Sequence, residues 1–246
     1  MKNLRKRLAC LLLSALLLIG CLPVTALAAE NGFILVVEAG GKLVIAPEYI
    51  SCTAGQTAAQ ALSASGHTFT GLDTGMISAI DGVTGNFTRS DENGNYDLSV
   101  SAASIGYLRF SEDMDSKPSD GLKQLMTAMA DYKKKDSDVQ AAAKKEYDTA
   151  SDLFVGINSE SAKTLASNLN DAVRNYENTL TGEHYAVRFT DGSAAYSDDN
   201  YPGVSITAVN AYGKQWTDDG DGVLELPKGD YTFCVEQAGL RVEGKI

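Results

Sequence analysis

The stretch "FILVVEAGGKLVIAPEYI", Phe33 to Ile50, decides the fold. Two apolar, β-branched runs, Phe33 to Ala39 and Lys42 to Ile50, flank the pair Gly40-Gly41. Such a pair supplies the positive φ angles of a tight two-residue turn, so the stretch predicts an antiparallel hairpin. Downstream, "TAAQALSAS" (Thr57 to Ser65) predicts a short helix, with Thr57 as N-cap and Gly66 as its stop. "MISAIDG" (Met76 to Gly82) and "IGYLRFS" (Ile105 to Ser111) read as strands around an Asn93-Gly94 turn.

This order of hairpin, helix and further strands, ending in "SIGYLRFSED", resembles the β-grasp-like modules found beside transcobalamin-like domains in Gram-positive surface proteins. The resemblance implies an exported α+β module over residues 32–113. Those modules usually carry a Trp near the last strand pair, whereas the one Trp here is Trp216.

Upstream of the hairpin, Lys2, Arg5, Lys6 and Arg7 precede a twelve-residue apolar run, Leu8 to Ile19. Ala26 and Ala28 then stand at the small-residue positions that a signal peptidase reads. The pattern predicts a signal peptide over residues 1–29, cleaved at Ala28 and Ala29. The run is short for a membrane span, which needs about 20 apolar residues. "LIGC", Leu18 to Cys21, resembles a lipobox and implies the alternative of lipidation at Cys21, the case in which the chain would meet a membrane. Removing the leader takes four of 21 basic residues and none of 32 acidic ones, leaving 17 minus 32, or −15. Such a surface repels phosphates and excludes nucleic acid as a partner.

The segment 119–181 carries helical periodicity. Leu122, Leu125, Met126, Met129 and Tyr132 form one stripe, and Val139, Ala143, Tyr147, Ala150 and Phe154 a second. Ala162, Leu165, Ala166, Leu169, Ala172, Val173, Tyr176 and Leu180 form the third, behind a cap at Asn158 or Ser159 and ahead of Gly182. Three amphipathic helices on short loops predict a three-helix bundle serving as a spacer. The stretch resembles helical spacers of bacterial cell-wall proteins.

Residues 183–246 return to alternating strands. Gly203 to Ala208, the aspartate-rich turn Asp219 to Gly222 and "LPKGDYTF" (Leu226 to Phe233) resemble collagen-adhesin B-type and carboxypeptidase-regulatory-like, or prealbumin-like, modules. The resemblance implies an Ig-like β-sandwich. Many adhesin relatives carry a Lys–Asn isopeptide bond; Arg188 stands where that Lys would be, and Arg cannot form it. The strand run stops at "VEGKI", so this last sandwich is expected to be incomplete and the sequence to belong to a longer protein. The predicted fold class is thus α+β and multi-domain.

Little catalytic chemistry is legible. Read as an EF-hand loop, "TDDGDGVLELPK" puts Lys228 where a bidentate Glu is required. Asp218, Asp219 and Asp221 therefore read as turn residues, with a weak calcium ion the alternative. His67 and His184 lack metal-ligand spacing. Cys52 with His67 is formally a nucleophile and base, but nothing local supplies an oxyanion hole or a third group. Cys52 and Cys234 read as buried thiols, with a long-range bridge the alternative. No catalytic, cofactor or metal residue is assigned. The expected function is a non-enzymatic secreted or cell-surface protein that binds extracellular protein or glycan or acts as a spacer. The alternative is an accessory region of a larger extracellular hydrolase.

Overall fold

The computed structural model describes residues 31–91, 94, 97–112 and 118–246. The leader positions Cys21, Ala28 and Ala29 lie outside the described residues, as does Asn93. The described chain is mixed α+β.

Strands β1 (Gly32–Ala39) and β2 (Lys42–Ser51) form the expected hairpin, with Gly40 and Gly41 at φ 57° and 70°. Helix α1 (Ala58–Ser63) follows, opened by a capping box in which Thr57 accepts from the Gln60 amide and Gln60 from the Thr57 amide. Short strands β3 (Phe69–Thr70), β4 (Ala79–Ile80) and β5 (Val83–Thr84) make a small antiparallel sheet. β6 (Thr88–Ser90) and β7 (Tyr107–Ser111) join the hairpin in the order β2-β1-β7-β6, with β1 and β7 parallel.

One expectation fails here. Met76 to Gly82 does not form a strand beside Ile105 to Ser111. Asp81 and Gly82, at φ 49° and 78°, close a two-residue turn that folds β4 back on β5. Met76 is left 79% exposed.

β1 is buried on both faces. Phe33, Leu35 and Val37 pack with Leu62, Ile80, Leu108 and Phe110, under α1. Ile34 and Val36, with Tyr107, pack on the helical segment. That segment is α2 (Asp120–Lys133), α3 (Ser137–Asp152) and α4 (Ser159–Leu180), capped at Ser119, Asp136 and Asn158. The three helices pack on one another, as their stripes predict. α2 also lies on the β1–β2 sheet, and this accounts for two burials that the stripes missed. Ala128 faces α4 and Ala130 faces β2, so α2 is covered on two sides. Helix and sheet share one core rather than meeting as spacer and module.

Basic residues at the end of α2 reinforce the join. Lys133 Nζ donates to the Ala46 carbonyl (3.0 Å) and to Glu48 Oε2 (2.9 Å), and Lys134 Nζ lies 3.4 Å from the centre of the Tyr49 ring. α2 and α4 meet closely at their first turns. A Cβ added at Gly121 would stand 2.0 Å from the Ser159 carbonyl oxygen.

The third segment carries β8 (His184–Arg188), β9 (Ser205–Asn210), β10 (Gln215–Thr217), β11 (Val223–Pro227), β12 (Tyr231–Gln237) and β13 (Leu240–Lys245). The sheet β10-β9-β12-β13 and the ribbon β11-β8 enclose Ile206, Ala208, Leu224, Leu226, Tyr231 and Val235. Cys52 and Cys234 are free thiols and are half-buried rather than buried: Cys52 packs at the margin of the first core, and Cys234 alternates with Phe233 and Val235 along β12 and so lies on the opposite face of its sheet.

Because backbone rather than a flexible side chain opposes it, Gly121→Ala is expected to destabilise the fold by about 1–3 kcal/mol. The check is a lowered denaturant midpoint at unchanged slope. An unchanged midpoint would show that α2 and α4 can separate freely at their first turns.

Candidate functional site

His67 follows α1 and reaches two carboxylates that the sequence places far from it. Its Nε2 lies 2.5 Å from Glu48 Oε1 on β2, and its Nδ1 lies 2.7 Å from Asp81 Oδ2 in the β4–β5 turn. Asp81 Oδ1 also accepts from the Thr68 amide (2.8 Å), and Glu48 Oε2 takes Lys133 from α2. Burial opposes the imidazolium, but the hydrogen bonds and charges of Glu48 and Asp81 outweigh it and raise the His67 pKa. Burial likewise opposes ionised Glu48, and His67 and Lys133 more than offset it, so its pKa is lowered. Asp81 is lowered by the Thr68 amide and His67 against a burial penalty. Both ring nitrogens are engaged by these carboxylates. The group is an ion-paired clasp that ties hairpin, loop and α2 together.

Glu38 and Arg109 form a buried ion pair on the helix-facing side of the sheet (Nε to Oε1 2.7 Å, Nη2 to Oε2 3.1 Å). They line a cleft of about 550 Å³ with Ser119, Leu122 and Asn158. The matched fork geometry satisfies both charges.

Asp218, Asp219 and Asp221 do come together, with one carboxylate oxygen of each within 4.8 Å of the others. Asp218 is already committed to the turn. It accepts from the amides of Gly220 (3.0 Å), Gly222 (3.1 Å) and Val223 (3.1 Å), while Asp221 Oδ1 accepts from Val223 (2.8 Å). These bonds are the turn chemistry expected of Asp and Gly here. The turn places the Asp219 carboxylate and the second oxygen of Asp221 on an exposed loop.

A further recess lies where the third segment meets the helices, a groove of about 520 Å³. α4 supplies Ala172, Asn175, Tyr176 and Leu180, and α3 supplies Glu146. The β9–β10 turn adds Tyr212, and the β11–β12 turn adds Lys228 and Asp230. Its wall is fixed by hydrogen bonds. Asn210 Oδ1 accepts from the amides of Tyr212 (2.9 Å) and Lys214 (3.0 Å), and its Nδ2 donates to Tyr176 Oη (2.9 Å). Tyr176 Oη donates in turn to Asp138 Oδ2 on α3 (3.1 Å). Burial first, and then the Asp138 carboxylate, push the Tyr176 pKa up to about 12, so it stays a phenol. The Tyr212 ring packs edge-on against Tyr176, centroids 4.9 Å apart, and is 43% exposed. None of this was assigned from sequence, because its parts are up to about ninety positions apart; the turn "NAYG" (Asn210 to Gly213) was its only local sign.

The chain matches no family model, no curated protein and no solved structure. Among the described residues, no helix is long and apolar enough to cross a membrane.

The clasp has a pH signature. An unfolded His titrates near pH 6.5, roughly, and the folded His67 value is higher. Its stabilisation is fully present below about pH 6.5 and is lost as pH rises through the folded value. The Glu48 and Asp81 contributions are present above the ordinary carboxylate range and are lost as pH falls through their lowered values. The unfolding free energy is therefore expected to decline above about pH 6.5 in the wild type, and to lose that decline in His67→Gln. Parallel pH profiles for the two proteins would contradict the assignment.

Proposed function

We propose that this is an exported, non-catalytic binding protein whose groove between α4 and the β9–β10 turn takes a glycan. The observation that carries the reading is the exposed Tyr212 ring, held by Tyr176 and the Asn210 network beside the polar side chains of the groove. Recognition sites of this kind combine aromatic walls with a few placed polar side chains. An aromatic face covers the apolar C–H face of a sugar, while Asn175, Glu146 and Asp230 offer amide and carboxylate partners to its hydroxyls. The leader pattern and the net acidity support a place outside the cell, at the surface or released.

The strand order β2-β1-β7-β6, with its parallel central pair, supports a β-grasp-like reading of the first segment. The four-on-two arrangement of the third supports a prealbumin-like sandwich. Either leaves function to the site, since folds of this kind host many. A glycan groove suits a surface protein and equally an accessory region beside a hydrolase.

Tyr212→Ala is expected to weaken retention on immobilised polysaccharides about tenfold, equivalent to about 1.4 kcal/mol, while Tyr212→Phe keeps it. Affinity electrophoresis through gels containing mucin glycans or cell-wall polysaccharide reads this directly. Binding that survives enzymatic removal of the glycans would assign a protein ligand instead. Equal retention of wild type and Tyr212→Ala would remove the groove from the function.

A further inference from the structure

Three charged side chains line the groove beside Tyr212: Glu146 on α3, and Lys228 and Asp230 in the β11–β12 turn. Glu146 is half-buried, and the other two are exposed. Among the described residues, none of the three makes an ion pair or a side-chain hydrogen bond. The positions three and four away from Glu146 on its helix are Ala142, Ala143, Thr149 and Ala150, so no cation of α3 meets it there. Lys144 is paired with Asp148 instead. At the join to the third segment, Lys214 lies 3.9 Å from Asp138 and Lys135 lies 2.7 Å from Glu177. A carboxylate that has lost part of its hydration and gained no partner favours a cation brought by a ligand.

We propose that the groove selects a glycan with free amines, an amino sugar lacking its acyl group, whose ammonium is received by Glu146 and Asp230. The inference rests on the glycan reading of the groove given above. A protonated amine only donates and a carboxylate only accepts, so the two match in charge and in hydrogen bonding. Acylation of the amine removes the charge. Lys228 is left to donate to hydroxyl or ring oxygens. A carboxylated or sulfated sugar drawn to Lys228 would meet Asp230, two residues along the same turn, and Glu146 as well; carboxylates outnumber the ammonium two to one in the lining. The chain as a whole, with 32 acidic and 21 basic residues, adds the same preference at longer range.

Calorimetric titration with short glucosamine oligomers, and with N-acetylglucosamine oligomers of equal length, tests this. The titration is run at about pH 6, where a sugar amine, like an α-amino group, is protonated. The wild type is expected to bind the free-amine oligomer about tenfold more tightly, the scale of one charge-assisted hydrogen bond. Glu146→Gln and Asp230→Asn are each expected to reduce that ratio, and the two together to abolish it while binding of the N-acetylated oligomer is kept. Tyr212→Ala is expected to weaken both oligomers. Asp199→Asn removes the same charge at an exposed position outside the groove and is expected to leave the ratio intact. Equal affinity for the two oligomers, both weakened by Tyr212→Ala, overturns the inference and leaves the glycan groove standing. A ratio that Asp199→Asn reduces as much as Glu146→Gln overturns it too, as does tighter binding of a uronic-acid oligomer. If neither oligomer binds, the inference is overturned, and retention in the polysaccharide gels still decides the groove. An amine preference untouched by Tyr212→Ala overturns both.

Discussion

Strand β1 cannot be removed from either of the two cores it serves. A strand alternates its side chains between faces, and here both faces are apolar: Phe33, Leu35 and Val37 on one, Ile34 and Val36 on the other. Such a strand has to be covered twice. α1 and the small sheet cover one side, and α2 covers the other. The same alternation carries Glu38 to the helix-facing side, where Arg109 of the parallel neighbour β7 neutralises it. The buried ion pair, the lysines of α2 on Glu48, Ala46 and Tyr49, and the His67 clasp all lie along this one join.

What was legible in the sequence was local. The hairpin followed from Gly40-Gly41, α1 from Thr57 as its cap and Gly66 as its stop, and the helices from three- and four-residue spacings ended by caps. These signals live within one or two turns of chain. The hydrophobic stripes gave one face of α2 but not the second, because Ala128 and Ala130 are small and their burial depends on what lies opposite. Met76 to Gly82 misled because its apolar residues resemble a strand, while Asp81-Gly82 decides where the chain turns. The His67 clasp was invisible, since its partners lie 19 and 14 positions away on different elements.

The third segment is tied to the helices by polar groups. Asp138, Tyr176 and Asn210 form a relay from α3 through α4 to β9. Lys135 to Glu177, 2.7 Å, adds a bond between the end of α2 and α4. A groove walled by two elements that meet through hydrogen bonds is pre-organised, which lowers the cost of binding. The aspartates of the 218–221 turn serve the opposite purpose, fixing backbone amides in a loop that joins β10 to β11.

Native-state hydrogen exchange, followed residue by residue, measures the shared core most directly. If β1 is the common element, the slowest amides of β1, α2 and α4 exchange with one opening free energy equal to that of global unfolding, because none of these elements can open without uncovering the others. If instead the amides of α2 and α4 share a value distinct from that of β1, the helices form a unit of their own, and the account of a strand covered on both faces fails.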